Sequence, residues 1–180
     1  MRVVAGKARG RAIAAPTGRN TRPTGDKVRQ AIFNALGSLG MVEGARFADL
    51  FAGSGGLGIE ALSRGAVHCT FVESDRAAAR LIATNLAVLG PLTTGAAVVQ
   101  PTTVEVFLAR PGLDRFDVAL IDPPYAFDEW PALLSAVPAD LVVIESDRAI
   151  DPGRDWEIMR TRAYGGTVVV FARRDTSDGE

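Results

Sequence analysis

The sequence predicts an α/β protein built on one mainly parallel sheet, and three observations predict it. Between residues 46 and 146, apolar runs of strand length alternate with segments of helical periodicity. A Gly53-x-Gly55-x-x-Gly58 turn falls between the first strand and the first helix of that series. The stretch from Trp156 to Ala172 reads as two strands across Tyr164-Gly165-Gly166, a hairpin that requires an antiparallel strand at one end of the sheet.

The elements follow in chain order. Arg2–Ala5 and Arg11–Ala15 are short extended segments around a loop with Gly6 and Gly10 at its ends, which suits a small hairpin. After a loop ending at Pro23, Thr24 is placed to N-cap a helix with Asp26 in its first turn. Val28, Ile32, Phe33, Leu36 and Leu39 give that helix an apolar stripe, and Gly37 and Gly40 mark its end. Strands are expected at 46–51, 67–72, 96–99, 117–121 and 141–144, with helices at 57–64, 76–89, 104–109 and 130–136 between them. The closing strands span 156–163 and 167–172, and 175–180 reads as a polar tail.

Composition narrows the class of function. The chain has 180 residues, 47% apolar and 23% charged, enough for one main domain with its own core. Cys69 is the only cysteine and His68 the only histidine, so an intrachain disulfide, a four-cysteine zinc site and His-rich metal sites are excluded. Both lie in an apolar strand and are assigned structural roles, as are Trp130 and Trp156. No bound metal is expected. A secretory leader and a membrane span are not expected either, and the location expected is the cytoplasm. The net charge of −1 hides a split: residues 1–30 carry eight basic groups against Asp26, net +7, while the other 150 residues carry twelve basic and twenty acidic groups, net −8. A basic arm on an acidic body suits phosphate contact, with Arg2, Lys7, Arg9, Arg11, Arg19 and Arg22 as candidates.

Two motifs carry chemistry. The first is the glycine turn, followed twenty residues after Gly53 by Glu73 at the end of the next strand, where a carboxylate can accept both hydroxyls of a ribose. Asp49 stands four residues before Gly53. An anion beside the turn disfavours the pyrophosphate of a dinucleotide and suits a cationic ligand, so S-adenosylmethionine fits better than NAD. The second motif, Asp122-Pro123-Pro124-Tyr125, follows an apolar strand and faces the same crevice. It offers the Asp122 carboxylate and proline carbonyls as acceptors without prolyl N–H groups, and the flat ring of Tyr125. That set suits an exocyclic amino group on a planar ring: the acceptors hold its N–H bonds, the ring stacks, and Asp122 is the candidate to take the released proton. Phe51 and Phe127 flank the expected pocket, Phe127 as a stacking or packing residue.

These residues resemble the class I methyltransferases that modify exocyclic amines. The match is closer through Arg2-Val-Val-Ala-Gly6, Gly10-Arg11, Arg22-Pro-Thr24 with Asp26, Val28-Arg29, Asp49–Gly58, Glu60-Ala-Leu-Ser-Arg64 and Glu145-Ser146. Together they resemble the bacterial 16S rRNA (guanine 966 N2)-methyltransferase family over nearly the whole chain. The resemblance implies a Rossmann-like methyltransferase domain at 41–180, with a C-terminal antiparallel hairpin, and a basic extension at 1–40, hairpin plus helix, that contacts RNA. It implies that Asp49, Phe51, Gly53, Gly55, Glu73, Thr102 and Asp122 hold the cofactor and that Asp122, Pro123, Pro124 and Tyr125 hold the target guanine. The expected partner is 16S rRNA within the small ribosomal subunit or its assembly intermediate, and a monomer is expected. Thr102 departs from the family, which places a small acid or amide there to meet the adenine edge. The residues alone leave other acceptors open, namely adenine in DNA or RNA and a glutamine side chain. More distant readings are an NAD-dependent oxidoreductase and a non-catalytic RNA-binding protein.

Overall fold

The computed structural model describes residues 1–15, 25–90 and 96–176. Among them the chain runs α1 (Asp26–Ser38), β1 (Arg46–Leu50), α2 (Gly56–Ser63), β2 (His68–Val72), α3 (Arg76–Leu89), β3 (Ala96–Gln100), α4 (Val104–Leu108), β4 (Phe116–Ile121), α5 (Trp130–Ala136), β5 (Ala139–Ser146), β6 (Trp156–Tyr164) and β7 (Thr167–Arg174). The strands form one sheet in the order β3-β2-β1-β4-β5-β7-β6. The first five strands are parallel; β7 runs antiparallel to β5, and β6 antiparallel to β7. The winding moves outward from β1 to β3 and then returns to lay β4 on the other side of β1. That reversal opens a crevice beyond the carboxyl ends of β1 and β4.

Helices cover both faces. Val3, Ala8 and Ile13 of the extension, Phe33 and Leu36 of α1, Ile59 of α2 and Ile82 of α3 pack on Phe47, Phe71, Val118 and Phe171. On the other face Phe107 of α4 and Trp130 and Leu134 of α5 pack on Leu50, Ile121, Val142 and Val170. Burial on both faces explains why β4 and β5 read as continuous apolar runs rather than alternating ones. Trp156 is buried in the second cluster and donates its indole N–H to the Leu134 carbonyl. No helix among the described residues is long and apolar enough to cross a membrane.

Several boundaries differ from expectation. The first strand stops at Leu50, because Phe51 turns into the left-handed region at φ 62°. For a bulky residue this conformation costs on the order of 1–3 kcal/mol. Thr24 lies outside the described residues; Gly25 occupies the N-cap position of α1, with no side-chain cap bond, and its carbonyl accepts the N–H groups of Val28 and Arg29. Leu39 is not part of the buried stripe: it stands at the C-cap and is 43% exposed. The second strand begins at His68, and Val67 is exposed before it.

Candidate active site

The crevice is assembled at one level, because Leu50 is in register with Val72 on one side and with Ile121 on the other. Beyond Leu50 the chain makes the glycine turn, with Gly53 at φ 56° and Gly55 at φ 82°. A Cβ built on Gly53 meets open space, so the turn presents bare backbone to the crevice. Gly58 serves a different need. A Cβ there would stand 2.3 Å from the Phe71 ring and 2.6 Å from Cys69 Sγ, so its glycine lets α2 lie close on β2.

Two carboxylates hold the turn from below and beside. Glu73 Oε2 accepts the Gly53 N–H at 2.8 Å, and its Oε1 accepts the Asp75 N–H at 2.7 Å. Asp49, 2% exposed, accepts the Gly58 N–H at 2.8 Å. An N–H that would otherwise face a phosphate at the start of α2 is thus taken by the protein's own anion. Burial pushes the Asp49 carboxyl well above the usual range; the Gly58 hydrogen bond offsets part of this, and repulsion from Asp122 and Glu73 adds to it. Three carboxylates therefore share one field, which a cation relieves. The bare Gly53 backbone and this field fit an ammonium- and sulfonium-bearing nucleoside better than a pyrophosphate.

Asp122 follows β4 directly and is half-buried; Pro123 is buried. The Pro124 carbonyl accepts the Phe127 N–H at 2.8 Å and closes the turn. Tyr125 stands 51% exposed at the rim. Phe127 meets Phe51 edge-on at 5.3 Å and Trp130 edge-on at 5.1 Å, so the three rings form one wall packed into the second core cluster. Thr102 is half-buried past β3, where its N–H donates to the Gln100 carbonyl at 2.9 Å. The same Gln100 carbonyl accepts the Glu73 N–H at 3.1 Å, which ties the third strand's end to the second's.

The basic extension is more firmly attached than its loop-like sequence suggests. Arg2 and Ala12 form an antiparallel bridge, as a hairpin requires. Buried Glu60 of α2 accepts the N–H groups of Val4 and Ala5 at 2.8 and 2.9 Å. Ser63 Oγ accepts the Ala8 N–H and donates to the Ala5 carbonyl. Gly6 sits so close that a Cβ there would lie 1.9 Å from the Ser63 carbonyl oxygen. Asn85 of α3 brackets Ala14, accepting its N–H and donating to its carbonyl, and also donates to the Ser54 carbonyl of the glycine turn. Arg29, 1% exposed, pairs with Asp26 and Glu60 and donates to the Arg2 carbonyl. It is a structural cation and drops out of the arm's available charge.

Arg2, Lys7, Arg9 and Arg11 are exposed; Arg19 and Arg22 lie outside the described residues. Lys7, for one, is not at the crevice. Lys7 lies against Ser63, at the far end of α2 from the glycine turn, about 10 Å along the helix. Glu60, Ser63 and Asn85 have no role in the sequence pattern, because each bonds backbone groups more than fifty residues away.

The switch-point crevice, the carboxylate-held glycine turn and the Asp-Pro-Pro-Tyr turn define a class I, Rossmann-like methyltransferase that uses S-adenosylmethionine. The family described as "Conserved hypothetical protein 95" matches residues 1–173, and the chain belongs to it. Among its relatives is a candidate rRNA methyltransferase, YlbH, of Bacillus subtilis (strain 168), 39% identical over 177 residues that cover 98% of this chain and 93% of that protein. Ribosomal RNA small subunit methyltransferase D of Haemophilus influenzae is 32% identical over 92% of this chain and 89% of its own length. A solved structure of a candidate methyltransferase, yhhF, from Escherichia coli superposes with a TM-score of 0.83 at 32% identity, over 97% of this chain and 98% of that one. The resemblance and the fold expected from the sequence both hold.

Proposed function

We propose that the protein transfers a methyl group from S-adenosylmethionine to the exocyclic N2 amine of a guanine in 16S rRNA of the small ribosomal subunit. The observation that carries this reading is the closed Asp122–Tyr125 turn, one strand away from the carboxylate-held glycine turn. The names of the relatives support the RNA.

Glu73, Asp49, Phe51, Gly53, Gly55, Thr102 and Asp122 are the residues that would hold the cofactor. When bound, it supplies an electrophilic methyl group. Glu73 Oε2 spends one lone pair on the Gly53 N–H and keeps the other for a ribose hydroxyl; Oε1 accepts the Asp75 N–H and a long bond of 3.5 Å from Ser74 Oγ, which a second hydroxyl would replace. Because the Pro124 carbonyl already closes the turn, the amine's two N–H bonds go to Asp122 and the Pro123 carbonyl. Tyr125 stacks on the base from its exposed rim position. Asp122 accepts the released proton, directly or through water. Arg2, Lys7, Arg9 and Arg11, with Arg19 and Arg22, contact phosphates, so residues 1–40 act as the RNA-facing extension of a domain at 41–180. The protein works as a cytoplasmic monomer and needs no metal.

The acceptor class is tested by offering methyl-labelled S-adenosylmethionine with unmodified 16S rRNA, duplex DNA and a glutamine-bearing protein in parallel. Label in the RNA alone is expected. Label confined to DNA or protein overturns the reading.

A further inference from the structure

The outermost strand, β6, is exposed on both faces from Glu157 to Ala163. Its course is broken by a register shift between Ile158 and Arg160. Ile158 pairs with Ala172, which belongs to the α4–α5 face. Arg160 pairs with Phe171 and Arg162 with Val169, which belong to the face of α1 and the extension. Residues 158, 160 and 162 have the same parity, so an unbroken strand would point all three side chains to the α4–α5 face. The bulge at Met159 turns both arginines to the other side, a known use of bulges.

The register also fixes their height. Arg162 pairs with Val169, and Val169 with Glu145, the residue after Ile144, which is level with Ile121. Arg162 is therefore level with Asp122, three strands across, or about 14 Å at ordinary strand spacing. That is a span of a few nucleotides. The hairpin tip, Gly165-Gly166, projects beyond this level on the crevice end.

Other surface arginines of the neighbourhood are neutralised: Arg173 pairs with Glu157 and Arg148 with Asp147. Among the described residues Arg160 and Arg162 enter no ion pair, and Arg162 gives one donor to the Thr161 carbonyl. Glu157 on that face is taken by Arg173, and Glu145 is buried two strands away, so two like charges outside any ion pair, with Arg162 level with the reacting turn, suit a polyanion that passes the crevice.

We propose that Arg160 and Arg162 grip backbone phosphates of the substrate RNA a few nucleotides from the target base, as a second anchor apart from the N-terminal extension. This rests on the RNA reading above. The competing role is protection of an exposed edge strand, for which charged residues of either sign serve.

The test uses the full chain and an unmodified 16S rRNA transcript, with affinity measured across a salt series. R160Q/R162Q should flatten the log–log slope by about 1.4–1.8, the loss of two contacts. R160E/R162E keeps the edge charged, so it should stay monomeric yet bind the transcript more weakly still. R160K/R162K should restore most of the slope. Affinity for S-adenosylhomocysteine should be unchanged in all three. If wild type binds steeply and the variants match it, this inference falls while the RNA reading stands. Unchanged slopes with self-association of the glutamine variant assign the arginines to edge protection. If wild type shows no salt-dependent binding, the RNA reading itself falls.

Discussion

The Glu73 carboxylate accepts the Gly53 N–H at 2.8 Å, so the end of β2 holds the turn that leaves β1. Glu73→Ala removes that anchor and, with it, the proposed ribose acceptor. Affinity for S-adenosylhomocysteine should drop tenfold to a hundredfold, about 1–3 kcal/mol. Glu73→Gln, which keeps one oxygen, should lose less. Titration calorimetry decides; an unchanged affinity in the alanine variant removes Glu73 from the cofactor site.

In the proposed site, Asp49 should make cofactor binding pH-dependent. Its carboxyl is pushed well above the usual range, chiefly by burial. A cationic ligand favours the charged form, lowers that value and so releases a proton. Affinity should rise as pH rises through the free protein's value, and calorimetry in buffers of different ionisation enthalpy should detect the released proton. For folding the sign is opposite: an acid raised in the folded state stabilises fully below its unfolded value and loses that advantage as pH rises towards the folded one. Asp49→Asn should abolish both effects. Equal heats in all buffers for the wild type would contradict the assignment.

Glu60 is the hinge pin of the extension and is 0% exposed. Glu60→Ala leaves Arg29 short of a partner and frees the Val4 and Ala5 N–H groups. Breaking a buried pair costs about 3–5 kcal/mol. At roughly 2–4 °C per kcal/mol for a chain of this size, the Tm should fall by about 6–20 °C. A wild-type melting temperature would show that the extension is not docked through this carboxylate. The same packing means that deleting residues 1–20 would remove Val3, Ala8 and Ile13, uncover the cluster they pack on and destabilise the body. Arg2, Lys7, Arg9 and Arg11 are therefore better tested by point substitution.

Asp122→Ala should abolish most turnover and lower cofactor affinity less than Glu73→Ala does, because in the proposed site its main partner is the amine. Tyr125→Phe should keep much activity, since the face stacks, whereas Tyr125→Ala loses roughly 1–3 kcal/mol of base stacking. Single-turnover assays separate the two. Equal inactivity of the phenylalanine and alanine variants would show that the hydroxyl, not the ring, is needed.

The parts of this molecule written in local sequence were legible. Apolar runs of fixed length announced β1 to β5, and the Gly53–Gly58 and Asp122–Tyr125 turns announced the crevice, because each motif's geometry depends on its own residues. What was hidden depends on contacts distant in sequence. Glu60 lies four residues before Arg64 on a helix and reads as half of a surface pair; its main partners lie at Val4 and Ala5. The hairpin was visible, but not that β7 would enter between β5 and β6. The bulge at Met159 leaves no pattern that periodicity detects, since the strand has no buried face to register against. Phe51 reads as a strand residue because it is apolar and aromatic; its positive φ follows from the tight exit into the glycine turn.

Methyl transfer to a guanine amine can be read at the nucleoside itself. The most direct measurement incubates the protein with methyl-labelled S-adenosylmethionine and small ribosomal subunits that lack the modification, then digests the rRNA to nucleosides for mass spectrometry. Label is expected in N2-methylguanosine at one position, and it should be lost with Asp122→Ala. Label in N6-methyladenosine, or in no nucleoside, would contradict it.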